Sequence, residues 1–315
     1  MRKIIVEQYE VLNVREVLEC LANDVKHFLI DEGPDLEKVM IGDMPLQTLL
    51  SNKGITIETY NLVQKDIDGI TIKRKDPVGP FYYPKDTQPL GKEYPIEKHF
   101  GLFVNTSRWH RLLIASHMFR HHKDKTFMTY RQNIKDSRQP AKLWIDDLFM
   151  KTFNRNTDDF IQQVSDFVKH LPIELTGEPI NNMNNSIHVA EDTVPLHKFY
   201  KKLFLDIVCE TWHEGESFYP TEKTSRPIVC HTPFVIYGPK NYLANLQKLG
   251  FKTFSDWWDE TYDQHHGVDR IFMINRIIAQ LANKTLDEIQ QMHKEMKDVL
   301  SHNYNVYKDL SNKEK

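Results

Sequence analysis

The sequence predicts an α/β fold of two Rossmann-like domains that face a cleft. In both halves of the chain, short apolar segments of strand character alternate with segments of helical periodicity. A proline-rich stretch, residues 74–97, separates the halves. At 315 residues the chain can bury one large core or two modest ones. We therefore expect domains at residues 1–97, which include the proline-rich connector, and 98–282, followed by a helix and polar tail at 283–315.

The N-terminal half contains four segments with strand character, at residues 3–6, His27–Ile30, 39–41 and Ile55–Thr59. Between the first two, apolar residues recur at helical spacing, which predicts a helix over Val14–Ala22. Leu46–Leu50 is a second short helix candidate. This alternation is typical of a parallel sheet covered by helices.

The second half repeats the alternation. Strands are expected at residues 101–104, Thr126–Tyr130, Leu203–Cys209 and Phe234–Tyr237. Helices are expected at residues 109–119, 157–171, 241–249, 268–281 and from Leu286 onward, where Thr285 and Glu288 have the spacing of a capping box. The last dozen residues are polar, and we expect them to be frayed.

Composition and charge limit the classes of function. The net charge of −3 argues against a protein that is basic overall, and no apolar run is long enough to span a bilayer. Cys20, Cys209 and Cys230 form no CxxC pair, which favours a reducing compartment without disulfides or structural zinc. These features predict a cytoplasmic protein.

One segment departs from this average. Residues 98–142 contain ten Lys/Arg, five His and only two acidic residues, and we call them the basic island. Either a solvated face or an anion-binding surface would explain such a segment. His121 and His122 diverge by about 100° on a helix and are poor joint metal ligands. His265 and His266, in a turn, have no carboxylate at the spacing of a known site.

The stretch from Glu210 to Ile228 carries the clearest chemistry. It follows an apolar strand, and Thr221 is well placed to cap the helix after it. A helix N-terminus behind a strand favours anions through its free N–H groups and its dipole. Glu222 can accept hydrogen bonds from a ribose diol, while Lys223 and Arg226 can point at a diphosphate. A capped surface helix with a Glu–Arg pair is the alternative that stays open.

Residues 218–223, Pro227 and residues 233–239 resemble the donor motif of the α1,3-fucosyltransferase clan and related glycosyltransferases of the two-domain GT-B type. Residues 246–263, together with residues 105–111 and Thr129-Tyr130, are similar to phage and bacterial glycosyltransferase-like proteins. The resemblance covers about residues 98–280. The chain departs from the fucosyltransferase pattern where Glu210-Thr211 replaces the usual Asn-Ser, and Arg226 stands where an apolar residue is common.

The resemblance implies that residues 98–282 bind a nucleotide-sugar and that the N-terminal domain faces the acceptor. The residues expected to hold the donor are Thr221, Glu222, Lys223, Arg226, Tyr219, Arg108, His110, Arg111 and Tyr130. Arg108 and Arg111 open a helix, where a guanidinium can clamp phosphate and neutralise a leaving diphosphate. We therefore expect neither a metal site nor a cofactor, since the nucleotide-sugar is a substrate.

An inverting transfer also needs a base that deprotonates the acceptor hydroxyl. Asp31 and Glu32 follow one predicted strand of the N-terminal half, and Asp43 follows another, so all three are candidates. His213 and Glu214, beside the donor motif, are the alternatives. A retaining transfer would need none of them.

The predicted function is a metal-independent hexosyl- or pentosyltransferase of a bacterial or phage-infected cytoplasm. The acceptor slightly favoured is a hydroxymethylated base in phage DNA, with duplex phosphates contacted by Arg120, Lys123, Lys125 and Arg131. The first alternative is a glycosyltransferase acting on a surface glycan precursor. The second is a non-catalytic module that binds nucleotides or nucleic acid.

Overall fold

The computed structural model describes residues 2–4, 11–12, 14–30, 33–75, 92, 94–104, 107–130, 157–175 and 196–312. Within them the chain forms two four-stranded parallel sheets and a smaller three-stranded sheet. Each four-stranded sheet lies in its own hydrophobic core. The predicted α/β class is confirmed, and the two parallel sheets are consistent with two Rossmann-like domains.

The described strands, in chain order, are β1 (Arg2–Ile4), β2 (Val11–Leu12), β3 (His27–Ile30), β4 (Met40–Ile41), β5 (Met44–Pro45), β6 (Ile55–Thr59), β7 (Ile70–Arg74), β8 (Lys98–Val104), β9 (Thr126–Tyr130), β10 (Leu203–Cys209) and β11 (Phe234–Tyr237). The described α-helices are α1 (Val14–Ala22), α2 (Leu46–Leu50), α3 (Trp109–His122), α4 (Thr157–Val168), α5 (His197–Tyr200), α6 (Glu222–Val229), α7 (Tyr242–Lys248), α8 (Gly267–Ala282), α9 (Leu286–Glu295) and α10 (Lys297–Asn312).

The N-terminal sheet has the order β1-β3-β6-β7, and all its pairings are parallel. Ile55 and Ile57 alternate with half-buried neighbours along β6 and pack with Phe28 of β3. α1 buries Val17 against the same core. Strands β2, β4 and β5 form the small sheet, in which β4 and β5 are an antiparallel hairpin.

The C-terminal sheet has the order β11-β10-β8-β9, again parallel throughout. All seven residues of the central strand β10 are buried. A strand covered on both faces reads as a continuous apolar run, which explains why the sequence pattern located it so well. α3 packs against α4 and α8, and α8 packs on β11.

The C-terminal segment differs from its prediction. Residues expected to be frayed form helix α10, which continues to Asn312. Leu300 and Tyr307 give it an apolar side that packs into the larger core, so tertiary burial stabilises a helix of polar composition. The capping box at Thr285 and Glu288 is confirmed.

Two more results concern the connector and membranes. Strand β7, which ends at the first residue of the predicted connector, is not predicted from the sequence. Only Ile70 of its five residues is buried, and Thr71, Lys73 and Arg74 are exposed. Residues 76–91 and 93 of that connector lie outside the described residues. In the described part of the chain, no helix combines the length and apolarity needed to cross a membrane.

Candidate functional site

The carboxyl ends of both parallel sheets meet one loop. This loop, residues 210–221, leaves the end of β10 and leads into α6, and we call it the clasp loop. Leu62, shortly after β6, donates its backbone N–H to the carbonyl of Phe218 over 3.2 Å. The hydroxyl of Ser217 donates to the carbonyl of Gly33, shortly after β3. The clasp loop therefore lies where ligands usually bind in parallel α/β sheets, at the strand carboxyl ends.

Asn61 contacts the clasp loop at two residues and also holds two loops of its own half. Its side chain is fully buried, and its Nδ2 donates to the carbonyls of Pro34 and Glu216, both at 3.1 Å. Its Oδ1 accepts the N–H groups of Phe218 at 2.9 Å and Val63 at 3.2 Å. The side-chain amide of Asn61 thus joins the loop after β3 and the loop after β6 to the clasp loop.

Further contacts hold the same loop from the N-terminal side. The Oδ2 of the buried Asp35 accepts the N–H of Glu216 over 3.1 Å. Lys65 and Glu216 form an exposed ion pair at 2.7 Å. A β-carbon at Gly33 would lie 2.7 Å from Cγ of Tyr219, so only glycine lets the two backbones approach this closely. The clasp loop is fixed by both domains.

Glu210 anchors the loop from the C-terminal side. The residue is 1 % exposed at the end of β10, and its carboxylate accepts hydrogen bonds from the clasp loop, α6 and α7. Oε1 accepts the N–H of Thr221 at 3.1 Å, the Thr224 hydroxyl at 2.6 Å and the Tyr242 hydroxyl at 3.1 Å. Oε2 accepts the Thr221 hydroxyl at 2.7 Å. These hydrogen bonds offset the cost of burying the carboxylate. Because Thr221 and Thr224 are among the donors, the carboxylate also fixes the start of α6.

Three of the residues predicted to hold the nucleotide-sugar lie together at the N-terminus of α6. Thr221 is the N-cap, as predicted, and its hydroxyl accepts the N–H of Lys223 over 3.3 Å. Lys223 Nζ lies 2.6 Å from Glu222 Oε1 and 3.1 Å from the Thr221 hydroxyl. The side chains of Glu222 and Lys223 are 18 % and 20 % exposed, so both remain accessible.

The charge state of Glu222 follows from these neighbours. Burial alone would raise its pKa, but the ion pair with Lys223 and the charge of Arg226 bring the pKa below its ordinary value. The carboxylate is therefore ionised at neutral pH and can accept hydrogen bonds.

Arg226, also predicted as a donor ligand, is buried within the domain. Its charge acts on Asp206, whose pKa burial raises to about 6 and Arg226 partly restores. Asp206 accepts the hydroxyl of Tyr200. Burial, followed by the charge of Arg226, also lowers the pKa of His197. The positive charge of Arg226 therefore acts on two carboxylates, those of Asp206 and Glu222.

The two arginines at the start of α3 hold the backbone at the end of β10. Arg108 donates from Nη1 to the carbonyl of Thr211 over 2.8 Å. Arg111 is buried and donates from Nη2 to the carbonyls of Cys209 and Glu210, at 3.2 and 3.3 Å. Both residues contact the start of the clasp loop and position its first residues, while their predicted role in holding a nucleotide-sugar stays a prediction.

His110, between these arginines, belongs to an aromatic stack. Its ring lies 3.7 Å from the ring of His213 and 4.9 Å from that of Tyr237, centre to centre. Burial lowers the pKa of His110 well below its ordinary value, and the charges of His213, Arg111 and Arg108 add to this. His110 is therefore neutral. His213 is the less buried partner, and its Nε2 lies 3.7 Å from Glu214 Oε1.

Tyr130 and the predicted base residues lie differently. Tyr130 is fully buried, with its ring edge-on to Phe167 at 5.1 Å, so it belongs to the core. Asp43 is exposed in the β4–β5 turn of the small sheet. Asp31 and Glu32 lie outside the described residues. Of the named candidates, the structure brings His213 and Glu214 to the clasp loop.

Two of the cations predicted to contact DNA have intramolecular partners. Arg120 forms an exposed ion pair with Asp159 at 2.9 Å. Lys125 donates to the carbonyl of Ala282 at the end of α8. Lys123 is exposed, with its Nζ 5.9 Å from the centre of the Phe119 ring. Arg131 lies outside the described residues.

Sequence reasoning missed the residues that build the site. Glu210 stood out only as a departure from the fucosyltransferase pattern, and its partners Thr221 and Tyr242 are 11 and 32 residues away. Asn61 and Asp35 follow strands of the other half, and no local pattern links them to residues 216–218. Within the described residues, no group of three or more His, Cys, Asp or Glu could hold a metal ion.

No protein-family model matches the chain, and no curated protein matches it significantly.

Proposed function

We propose that the chain is a glycosyltransferase of the GT-B type, which moves a sugar from a nucleoside-diphosphate sugar to a hydroxyl group. The C-terminal domain binds the donor, and the N-terminal domain faces the acceptor. The observation that supports this is the start of α6: an ionised carboxylate and an ammonium group, both accessible, lie at the N-terminus of a helix where two parallel sheets meet.

Each part of a nucleotide-sugar has a fitting group here. The Glu222 carboxylate accepts hydrogen bonds from ribose hydroxyls. Lys223 and the N-terminal N–H groups of α6 suit the diphosphate, whose negative charge grows as the sugar leaves. Arg108, which is held to Thr211, adds positive charge on the α3 side of the loop.

For an inverting reaction, we infer that His213 takes the acceptor proton. Glu214 lies within 3.7 Å of its Nε2 and would stabilise the imidazolium that forms. The stack on neutral His110 holds the ring in place. Asp31 and Glu32 remain predictions for the same role from the opposite domain, and Asp43 remains the candidate that lies on the small sheet.

The geometry favours a glycan acceptor over duplex DNA. The charge of Arg120 is offset by Asp159, and the ammonium group of Lys125 is held by the carbonyl of Ala282, so two cations of the basic island are engaged within the chain rather than turned to phosphates. Incubation with a labelled donor and either hydroxymethylated duplex DNA or neutral oligosaccharides separates the two acceptors. Labelling of the DNA, with binding that weakens steeply as salt rises, would restore the DNA prediction.

Donor binding itself is tested by a thermal-shift screen with a panel of nucleoside-diphosphate sugars, followed by an assay for release of the nucleoside diphosphate. A specific donor should raise the melting temperature by mass action. Lys223→Ala should abolish that rise, whereas Lys252→Ala, which removes an exposed lysine elsewhere, should keep it. If no donor stabilises the parent protein and no diphosphate is released, the glycosyltransferase proposal is wrong.

A further inference from the structure

A groove of about 730 Å³ lies between α3, α4 and α8. Its lining includes none of the residues of the clasp loop or α6. The volume is in the range of sites that hold small molecules or short oligomers. Two histidines of the basic island, His117 and His121, meet His265 in its wall. These side chains have no role in the proposed donor site, so the groove needs its own explanation.

Two buried polar atoms in the groove wall lack hydrogen bonds within the described residues. They are Nε2 of His117 and Oδ1 of Asn275. Buried polar atoms are almost always hydrogen-bonded, and an exception calls for a water or ligand partner. Burial, aided by the charges of His121, His122 and Arg120, lowers the pKa of His117 to about 4. The ring is therefore neutral near pH 7 and suits a hydroxyl group, which can donate or accept.

The groove also offers aromatic surface. Phe160 of α4 and Phe272 of α8 both line it, with ring centres 5.5 Å apart and planes tilted by 41°. Both rings are only partly buried. Aromatic faces beside hydrogen-bonding groups suit a ligand that has apolar C–H faces and polar edges.

The charges in the wall are balanced and do not favour a charged ligand. Asp159 is paired with Arg120, and Asp269 and Arg276 carry opposite charges, so a phosphate-rich ligand finds no excess of positive charge. A metal ion finds no suitable group of ligands in the described part of the chain. A purely apolar ligand would leave the His117 and Asn275 atoms without partners, which is unfavourable.

We propose that this groove of the C-terminal domain binds a neutral oligosaccharide, and, resting on the proposed function, that this oligosaccharide is the remote part of an acceptor whose reacting end faces the N-terminal domain. The connection to the donor site runs through the start of α8. Tyr237, at the carboxyl end of β11, donates its hydroxyl to the carbonyl of Gly267 over 3.1 Å. The same Tyr237 ring stacks on His110 of the donor site. One end of the groove, with His265 and Asp269, therefore adjoins the sheet edge at which transfer takes place.

Saturation-transfer difference NMR on the full chain tests the groove directly. The probes are maltotriose, cellotriose and chitotriose, which are neutral and differ in linkage and in N-acetylation. At least one should give transfer signals, and Asn275→Ala and Asp269→Asn should each weaken its binding at least fivefold. Asp298→Asn is the matched control, because it also removes an exposed carboxylate from the first turn of a helix.

The outcomes separate this proposal from the donor assignment. Absence of signals from all three probes, or equal signals from the groove variants and the control, would overturn it, as would displacement of the bound probe by a short DNA duplex. Melting temperatures measured on the same samples show that each variant is folded. Nucleoside-diphosphate binding should be unchanged in the groove variants. A parent protein that binds a trisaccharide but no nucleoside diphosphate would keep the groove and reject the glycosyltransferase function.

Discussion

Asn61 shows how much of this site depends on the chemistry of single side chains. An amide has two donors and an acceptor oxygen with two lone pairs, and Asn61 uses both kinds of group across the two halves of the chain. A carboxylate of the same size would keep the acceptor and lose both donors. Because the side chain is fully buried, water cannot replace the lost bonds.

We therefore expect Asn61→Asp to lower the free energy of unfolding by about 2–3 kcal/mol, the range for unsatisfied buried groups with some added charge cost. Donor affinity should fall as well, since the clasp loop leads into α6. Urea unfolding and donor titration measure the two effects. The same change at exposed Asn305, inside α10, should alter neither, and equal behaviour of the two variants would show that Asn61 does not stabilise the contacts of the clasp loop.

Glu222 gives a second prediction at this scale. Glu222→Ala should cost about 1.5–3 kcal/mol of donor binding, as for a hydrogen bond to a charged group, while the melting temperature changes little. Calorimetric titration with the stabilising nucleotide-sugar measures the loss. Glu295→Ala, an exposed glutamate at the end of α9, should bind like the parent. Unchanged affinity in Glu222→Ala would remove Glu222 from the site.

At the scale of elements, α6 illustrates what the sequence can and cannot predict. Its start was predictable because capping is local: Thr221 caps residues directly after it. Its surroundings were not, because Glu210 and Tyr242 contact Thr224 of the helix from other elements, and Asn61 of the other half holds the loop before it. The burial of Tyr130 depends in the same way on Phe167, a residue of a later helix. Hydrophobic periodicity predicts where helices and strands lie in the sequence. Which side chains contact each other depends on how these elements pack, and periodicity does not predict that packing.

Thr221 and Thr285 allow a matched test, because both are threonine N-caps and only one lies at the site. Either change to alanine should destabilise the protein by about 1 kcal/mol, the usual cost of a lost cap. Thr221→Ala should in addition weaken donor binding, since the hydroxyl also donates to Glu210. Thermal unfolding and donor titration of both variants measure this. Equal donor affinity in the two variants would separate α6 from donor binding.

At the scale of the whole molecule, acid should destabilise the fold through its histidines. Burial is the main cause of a lowered pKa for seven of them in the described residues: His99, His110, His117, His122, His197, His231 and His293. The unfolded chain protonates them near pH 6.5, while the folded chain resists, so the unfolded state takes up more protons. The pKa of Asp206 is raised to about 6, so below pH 6 the folded state takes up a proton there before the unfolded state does. This stabilising effect offsets the destabilising effect of only one histidine.

The free energy of unfolding should therefore be highest above about pH 6.5 and fall as the pH drops toward 5. Each histidine contributes at most about 1.4 kcal/mol per pH unit within its window. Urea unfolding at pH 5, 6 and 7 measures the slope. His293, whose pKa burial lowers to about 4, should be a main contributor, so His293→Gln should flatten the profile and exposed His266→Gln should not. A profile that is flat in the parent protein would contradict these pKa directions.

The close approach of Gly33 and Tyr219 has a consequence for how the gene can change. A β-carbon at residue 33 would overlap the β-carbon of Tyr219, and every residue except glycine has one. Each amino-acid replacement reachable by one nucleotide from a glycine codon therefore introduces the clash, whatever its polarity. Replacing Tyr219 relieves it only if the new residue is itself glycine. Homologous chains that keep this close approach should thus carry glycine at one position or the other, and drift between the two would have to pass through a sequence with glycine at both.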